Sequence, residues 1–219
     1  MRGPREPRPA FRLADLGGLR LATVSEVPTP WMCLQQDLRQ AGIDPAGLNR
    51  LPAATMGENV EALRSGRADV IQMFQPFAAQ LAGDGAGHVW YSASSRGLTS
   101  YTTLNTTRTF LEREPDIALK MCRAIVRTQK WIGAHDGAAL ADAIGHYFSG
   151  VPRALLAQSF DGYQSSGVWN SSPLLRADGF NWLRDAALGA GLLRRPIRYE
   201  DCVDMRFAER AAKEDPPSI

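Results

Sequence analysis

The fold class follows from one stretch near the start of the chain, Leu19-Arg-Leu-Ala-Thr-Val24, and from the loop Ser25-Glu-Val-Pro-Thr-Pro-Trp31 directly after it. The first six residues alternate in polarity and include β-branched side chains, which predicts a strand. Thr29 is a suitable N-cap, and Pro30 suits the first position of a helix that Gly42 would end. The stretch therefore predicts a strand, a short loop and an amphipathic helix.

The same alternation continues through the first half of the chain. Further strand patterns lie at residues 49–54, 68–74, 88–93 and 101–105, with short helical patterns between the first three. Beyond them the pattern becomes helical, and the longest predicted helix covers residues 115–134. Strands that alternate with helices, followed by a helical tail, are typical of an α/β fold with a partly parallel sheet.

The composition excludes a disordered, a collagen-like and a coiled-coil chain. Of 219 residues, 44% are hydrophobic and 22% are charged, which is typical of a globular protein. The net charge of +2 gives no reason to expect a nucleic-acid partner. No stretch reaches the roughly 18 apolar residues that span a bilayer. Residues 1–17 are predicted to be an extended lead-in, which lacks the apolar region of a signal peptide.

The sequence contains none of the common catalytic or metal-binding motifs. It has no G-x-S-x-G, no H-E-x-x-H and no G-K-[ST] phosphate loop. Its three histidines fall in different predicted elements, and its three cysteines, Cys33, Cys122 and Cys202, form no CxxC pair. We therefore expect no catalytic residues, no metal and no cofactor.

Binding residues are easier to place, because ligands of α/β sheets lie beyond the carboxyl ends of the strands. Two loops occupy such positions, Ser25-Glu-Val-Pro-Thr-Pro-Trp31 and Met73-Phe-Gln-Pro76. Trp31 and Phe74 could stack on a planar ligand, Gln75 could hydrogen-bond it, and Glu26 could pair with a basic or amide group. Alternatively, Trp31 anchors its helix to the sheet and Phe74 belongs to the core.

Several phrases resemble one family of proteins, the ABC-transporter solute-binding proteins for sulfonates, nitrate, taurine and thiamine-precursor pyrimidines. Their order and spacing carry the resemblance, which runs from about residue 13 to residue 212. The phrases are Leu16-Gly-Gly-Leu-Arg-Leu-Ala-Thr-Val24, Ala41-Gly-Ile-Asp-Pro45, Glu61-Ala-Leu-Arg-Ser-Gly-Arg-Ala-Asp-Val70 with Gln75-Pro76, Phe110-Leu-Glu-Arg-Glu-Pro-Asp116 and Tyr199-Glu-Asp-Cys-Val-Asp204.

The resemblance implies a periplasmic-binding-protein fold of the second type, in which two α/β lobes joined by crossover strands hold a ligand. Residues 18–99 would form the second lobe, and residues 100–219 would return to the first lobe and supply its helical C-terminal part. The N-terminal part of the first lobe would be missing, as in a truncated family member. The family also implies a periplasmic, non-catalytic protein that captures a small solute and delivers it to a membrane permease, as a monomer if complete.

Carried over position by position, the resemblance implies nine ligand-binding residues. They are Ser25, Glu26, Pro28, Thr29, Trp31, Thr55, Met56, Phe74 and Gln75. The Glu26 carboxylate would repel a sulfonate or nitrate, and Pro30 removes one N–H donor. With two aromatic rings nearby, we expect a pyrimidine thiamine precursor as the preferred solute over the nitrate, sulfonate or taurine type.

Two other functions remain open on the same fold. One is a pyrimidine synthase-like enzyme that makes the thiamine precursor, although the relatives of that kind cluster cysteine and histidine, and the cysteines here are scattered. The other is an effector-binding sensory module, which would need a DNA-binding helix-turn-helix. No such pattern precedes Leu13.

Overall fold

The computed structural model describes residue 1 and residues 11–219, so most of the predicted lead-in lies outside the described residues. The chain separates into two units. Unit 1 comprises Met1–Ser95 and Arg184–Pro196, and unit 2 comprises Arg96–Leu183 and Ile197–Ile219. The assignment of residues 18–99 and 100–219 to two lobes stays a prediction.

Unit 1 is built on a small parallel sheet. Strands β1 (Leu21–Ala22) and β2 (Val70–Ile71) pair in register, with Leu21 opposite Val70. On the other side of β1, residues 49–54 add two parallel bridges, Leu21 to Arg50 and Val24 to Ala54. The predicted weak strand is therefore present as a bridged segment. Three helices follow the strands: α1 (Thr29–Gln40), α2 (Met56–Arg64) and α3 (Phe77–Gly83).

Successive side chains of a strand point to opposite faces, and this divides the core of unit 1 in two. On one face, Leu21 and Val70 pack with Leu34 and Leu38 of α1. On the other face, the core cluster contains residues from β1, β2, α2 and α3, namely Ala22, Ile71, Val60, Leu63 and Leu81. The sheet is thus covered by helices on both faces, as expected of a doubly wound α/β unit.

Of the strand predicted at residues 88–93, only a single bridge residue, His88, is present. The outer edge of β2 is already paired, because Ile71 both donates to and accepts from the backbone of Met1 at 2.8 Å. The side chains of the segment pack instead, and the rings of Trp90 and Tyr91 each lie 4.8 Å from that of Phe11. Residues Ala93–Arg96 then form a turn of 3-10 helix.

Unit 2 contains the helical tail that the sequence predicts. Its helices are α4 (Arg108–Arg113), α5 (Pro115–Ala134), α6 (Gly137–Ile144), α7 (Arg153–Ser165), α8 (Ala177–Gly189, whose last six residues belong to unit 1), α9 (Tyr199–Cys202) and α10 (Arg206–Glu214). One core joins Leu140 of α6 to Leu156 and Phe160 of α7. A second joins Leu119 and Val126 of α5 to α10.

The strand predicted at residues 101–105 is also not formed. This segment runs from unit 2's first residues towards α4, is exposed throughout, and makes no ladder with any described strand. The segment contains residue types that favour strands, but a strand also needs a neighbouring strand with which to pair. None of the helices in the described part of the chain combines the length and the apolar character needed to cross a bilayer.

Candidate functional site

Three loops of unit 1 meet at one edge of the sheet. They follow the carboxyl ends of β1, of the bridged segment 49–54 and of β2, and parallel strands place those ends together. The backbone N–H of Ser25 donates to the carbonyl of Ala54 at 2.9 Å, which ties the first loop to the second. All nine residues implied by the resemblance lie in these loops or in the first helical turn after them.

A buried amide holds the ends of two strands in place beneath the loops. Asn59 of α2 is 1% exposed, and its Nδ2 donates to the carbonyls of Thr23 at 3.2 Å and Ala54 at 3.4 Å. Its side chain therefore fixes the spacing between the first two loops. No local sequence pattern indicates this role, because Asn59 and Thr23 lie 36 residues apart.

The N-terminus of α1 is left without a side-chain cap. The helix begins at Thr29 with Pro28 at the N-cap position, so the prediction of Thr29 as the N-cap is wrong by one residue. Pro28 has φ −76° and ψ −22°, which are already helical, and this shifts the start of the helix. Among the described residues, the hydroxyls of Ser25 and Thr29 have no hydrogen-bond partner. The uncapped first turn and these hydroxyls are donors that could hold an anion.

The N-terminus of α2, in contrast, is occupied by two carboxylates. Oε1 of Glu26 accepts from the backbone N–H of Met56 at 2.7 Å. Oε2 of Glu58 accepts from the N–H and the hydroxyl of Thr55, both at 2.8 Å. These hydrogen bonds lower the pKa of Glu58 below its usual value of 4.5. Glu26, Thr55 and Met56 thus come together, as part of a capped helix start.

Trp31 lies against the core and under a cation. Its half-buried side chain packs on the cluster that contains Leu34 and Leu38. This packing agrees with the alternative interpretation, in which Trp31 anchors its helix to the sheet. The guanidinium carbon of Arg50 lies 4.7 Å from the centroid of the Trp31 ring, and Nε of Arg50 donates to Thr23 Oγ1 at 3.0 Å. The terminal nitrogens of Arg50 make no hydrogen bond to described residues. Sequence reasoning missed this positive charge beside the first turn of α1.

The third loop contributes an amide and an aromatic ring. Nε2 of Gln72 donates to the carbonyl of Pro30 at 3.0 Å, while its buried Oε1 has no partner in the described part of the chain. Phe74 is half-buried, and Oε1 of Gln75 accepts from the N–H of Ala79 at 2.9 Å. Gln75 therefore helps to hold the start of α3, and Gln72 is the second site candidate that sequence reasoning did not find.

A family model described as the NMT1-like family matches residues 10–144. A Bacillus subtilis (strain 168) protein named as a binding protein, YtlA, is 26% identical over 187 residues, which cover 84% of this chain and 56% of the relative. This chain therefore spans little more than half of that relative.

Solved structures share the fold. A protein from Methylobacillus flagellatus KT, named as periplasmic sulfonate-binding protein SsuA, matches 97% of this chain and 64% of its own at a TM-score of 0.72 and 16% identity. The desulfurization enzyme DSZB matches 98% of this chain and 75% of its own, at a TM-score of 0.60 and 14% identity. These likenesses confirm the predicted α/β fold of the periplasmic-binding-protein type.

Proposed function

Because this chain belongs to the NMT1-like family, whose model matches more than half of it, we propose that it is the solute-binding component of an ABC-type import system. It would bind a small solute without changing it, act in the periplasm and present the solute to a membrane permease. The observation that carries the proposal is the open N-terminus of α1, with free hydroxyls beside it, at the ligand-binding edge of an α/β sheet.

A sulfonate-like anion is the first candidate for the solute. The uncapped first turn of α1 presents N–H donors, and the hydroxyls of Ser25 and Thr29 stand beside it. Arg50 adds a fixed positive charge next to Trp31 of that turn. Donors at a helix N-terminus together with a guanidinium are the groups that bind sulfonate and phosphate oxygens in proteins.

The repulsion expected from Glu26 is weaker in this arrangement. Its carboxylate is held by the N–H of Met56 at the N-terminus of α2, where the helix dipole offsets part of the negative charge. The second candidate, a pyrimidine thiamine precursor, is favoured by the exposed position of Glu26 and by the half-buried ring of Phe74 in the neighbouring loop. An aminopyrimidine would use these two side chains, and a sulfonate would not.

A catalytic role is the weaker proposal, although one structural neighbour is an enzyme. Cys33 lies within α1 and is only 5% exposed, so its thiol does not reach the edge where the loops meet. Cys122 and Cys202 belong to unit 2. The candidate edge therefore offers hydroxyl, amide, guanidinium and carboxylate groups but, among the described residues, no thiol, and this suits binding better than thiol-based nucleophilic chemistry.

Isothermal titration calorimetry with the purified chain tests the proposal. The probes are ethanesulfonate, taurine, nitrate and an aminopyrimidine. We expect ethanesulfonate to bind, and the double variant with Ser25→Ala and Thr29→Val to weaken it at least tenfold, because two hydrogen bonds to a charged group are lost. Ser171→Ala, an exposed hydroxyl of unit 2, is the control and leaves the affinity unchanged.

Two charge variants separate the candidate solutes. Arg50→Gln weakens the binding of an anionic solute. Arg67→Gln is its control: it removes the same charge from the opposite end of the sheet, before β2, and leaves the affinity unchanged. Glu26→Gln keeps an acceptor for the Met56 N–H but removes the carboxylate, so it strengthens ethanesulfonate and weakens an aminopyrimidine. If no probe binds at millimolar concentration, the proposal is wrong for this chain, and tighter binding of the aminopyrimidine replaces the first candidate with the second.

A further inference from the structure

A cavity of unit 2 lies between the segment that leads into α8 and the last two helices. Its volume of about 380 Å³ is within the range of small-molecule sites. Leu174 and Leu175 line it on the α8 side, and Tyr199 of α9 and Met205, directly before α10, line the opposite side. Both sides belong to unit 2, so the cavity is formed within one unit and has a largely apolar lining.

Tyr199 holds the two sides of this cavity together. Its Oη donates to the carbonyl of Leu175 at 2.5 Å, which joins α9 to the segment before α8. Its ring also packs edge-on against that of Phe180 in α8, with the ring centroids 5.5 Å apart. The cavity is therefore formed before any ligand enters it, and a preformed site costs less ordering of the protein on binding.

The polar groups of the lining carry an excess of negative charge. Arg176 and Asp178 both line the cavity and neutralise each other, because Nη2 of Arg176 donates to Oδ2 of Asp178 at 2.7 Å. Glu209 of α10 lines the cavity as well. No described residue, including Lys213 one turn further along α10, forms an ion pair or a hydrogen bond with its side chain. The cavity thus contains one carboxylate whose charge is not compensated.

The charge of Glu209 acts on the wall of the cavity. Burial raises the pKa of the Tyr199 hydroxyl above its usual value of 10.0, and the negative charges of Glu209 and Glu200 raise it further. Glu200 is exposed and follows Tyr199 in α9. The two carboxylates therefore disfavour a further negative charge at this wall and favour a positive one.

We propose that the cavity binds a small organic cation, an ammonium group that carries a short apolar chain or ring. The ammonium group pairs with the carboxylate of Glu209, and the apolar part packs on Leu174, Met205 and the ring of Tyr199. An anion is repelled by Glu209, and a neutral molecule leaves its charge unpaired. The candidate edge of unit 1 offers donors to an anion instead, so this inference does not depend on the function proposed above.

Fluorine NMR of the complete 219-residue chain tests the proposal with three probes of similar shape, para-fluorobenzylammonium, para-fluorobenzyl alcohol and para-fluorobenzoate. We expect the ammonium probe to bind saturably at millimolar concentration, at least about threefold more tightly than the alcohol, because an exposed ion pair adds a modest free energy. The benzoate binds more weakly than both. Glu209→Gln removes the preference for the ammonium probe and leaves the alcohol unchanged, whereas Leu174→Asn weakens both by removing apolar contact.

The controls separate this cavity from a general attraction of cations to the protein. Glu112→Gln removes an exposed carboxylate of unit 2 that does not line the cavity, and it leaves the affinity unchanged. Raising the salt concentration tenfold weakens the ammonium probe but not the alcohol, and this tests the charge even if Glu209→Gln unfolds the chain. The proposal is overturned if the ammonium probe does not bind, if the alcohol or the benzoate binds as tightly, or if Glu112→Gln weakens binding as much as Glu209→Gln.

Discussion

Replacing Asn59 with Ala tests whether one buried amide fixes the candidate site. The substitution removes two hydrogen bonds, to the carbonyls of Thr23 and Ala54, from a side chain that is 1% exposed. Both carbonyls keep a backbone partner, since they also accept from the N–H groups of Ala54 and Ser25. No buried acceptor is therefore orphaned, and the cost is the two bonds themselves, at about 0.5–1.5 kcal/mol each. We expect a loss of roughly 1–3 kcal/mol.

Urea denaturation with amide exchange by mass spectrometry measures this loss. With a slope of about 2 kcal/mol per molar urea, the midpoint falls by roughly 0.5–1.5 M. Peptides that cover residues 20–25 and 50–56 exchange faster, and they report on unit 1 alone. Asn49→Ala is the matched control, because Asn49 is exposed in the same unit. If Asn59→Ala costs no more than Asn49→Ala, then the amide does not hold the strand ends and the reasoning fails.

Three further predictions concern the packing of α6 on α7, the core beneath α1 and one carboxylate. Gly137→Ala lowers the free energy of unfolding in urea by about 1–3 kcal/mol, because a Cβ at this position overlaps a backbone carbonyl of α7. Gly133→Ala is the control: a Cβ there meets open space, and the substitution stabilises α5 by up to about 1 kcal/mol. Leu38→Ala, at a position that is 0% exposed, costs about 2–5 kcal/mol in the same assay. Hydrogen bonds from Arg123 lower the pKa of Glu214 from 4.5 to about 2, so the stability that it adds is present above pH 4.5 and is lost as the pH falls towards 2. Glu214→Gln removes that part of the pH dependence of the thermal midpoint.

The parts of the fold that depend on local sequence were predictable. The alternation at residues 19–24, the Thr29-Pro30 pair at the start of α1 and the apolar run that contains β2 predicted three of the elements of unit 1 nearly in place. The predicted strands at residues 88–93 and 101–105 have strand-like sequences, but apart from a single bridge at His88 they form no ladder with a strand of the described residues. Pairing is a long-range property, so composition alone could not decide it.

The site shows the same division between local and distant information. The loops were predictable because they follow strands, but the partners of their side chains were not. Glu26 is held by a backbone N–H that is 30 residues away, and Gln72 reaches a carbonyl that is 42 residues away. Arg50 lies over Trp31 because the parallel register brings the bridged segment beside β1. Each of these contacts requires the sheet to be assembled first.

The two helix N-termini at the candidate edge differ in capping, because α2 is capped by side chains and α1 is not. This difference is more informative about function than the fold is. A sulfonate-binding protein and a desulfurization enzyme both share the fold, so the fold alone does not separate binding from catalysis. At α2 the chain supplies its own carboxylates, since Glu26 accepts from the first-turn N–H of Met56 and Glu58 accepts from the N–H of the N-cap residue Thr55. At α1 it supplies none, although Pro28 occupies the N-cap position, where an Asp or Asn would stabilise the helix by about 1 kcal/mol. Under the function we propose, the solute would complete this uncapped helix start, beside a guanidinium and two hydroxyls that have no partner among the described residues.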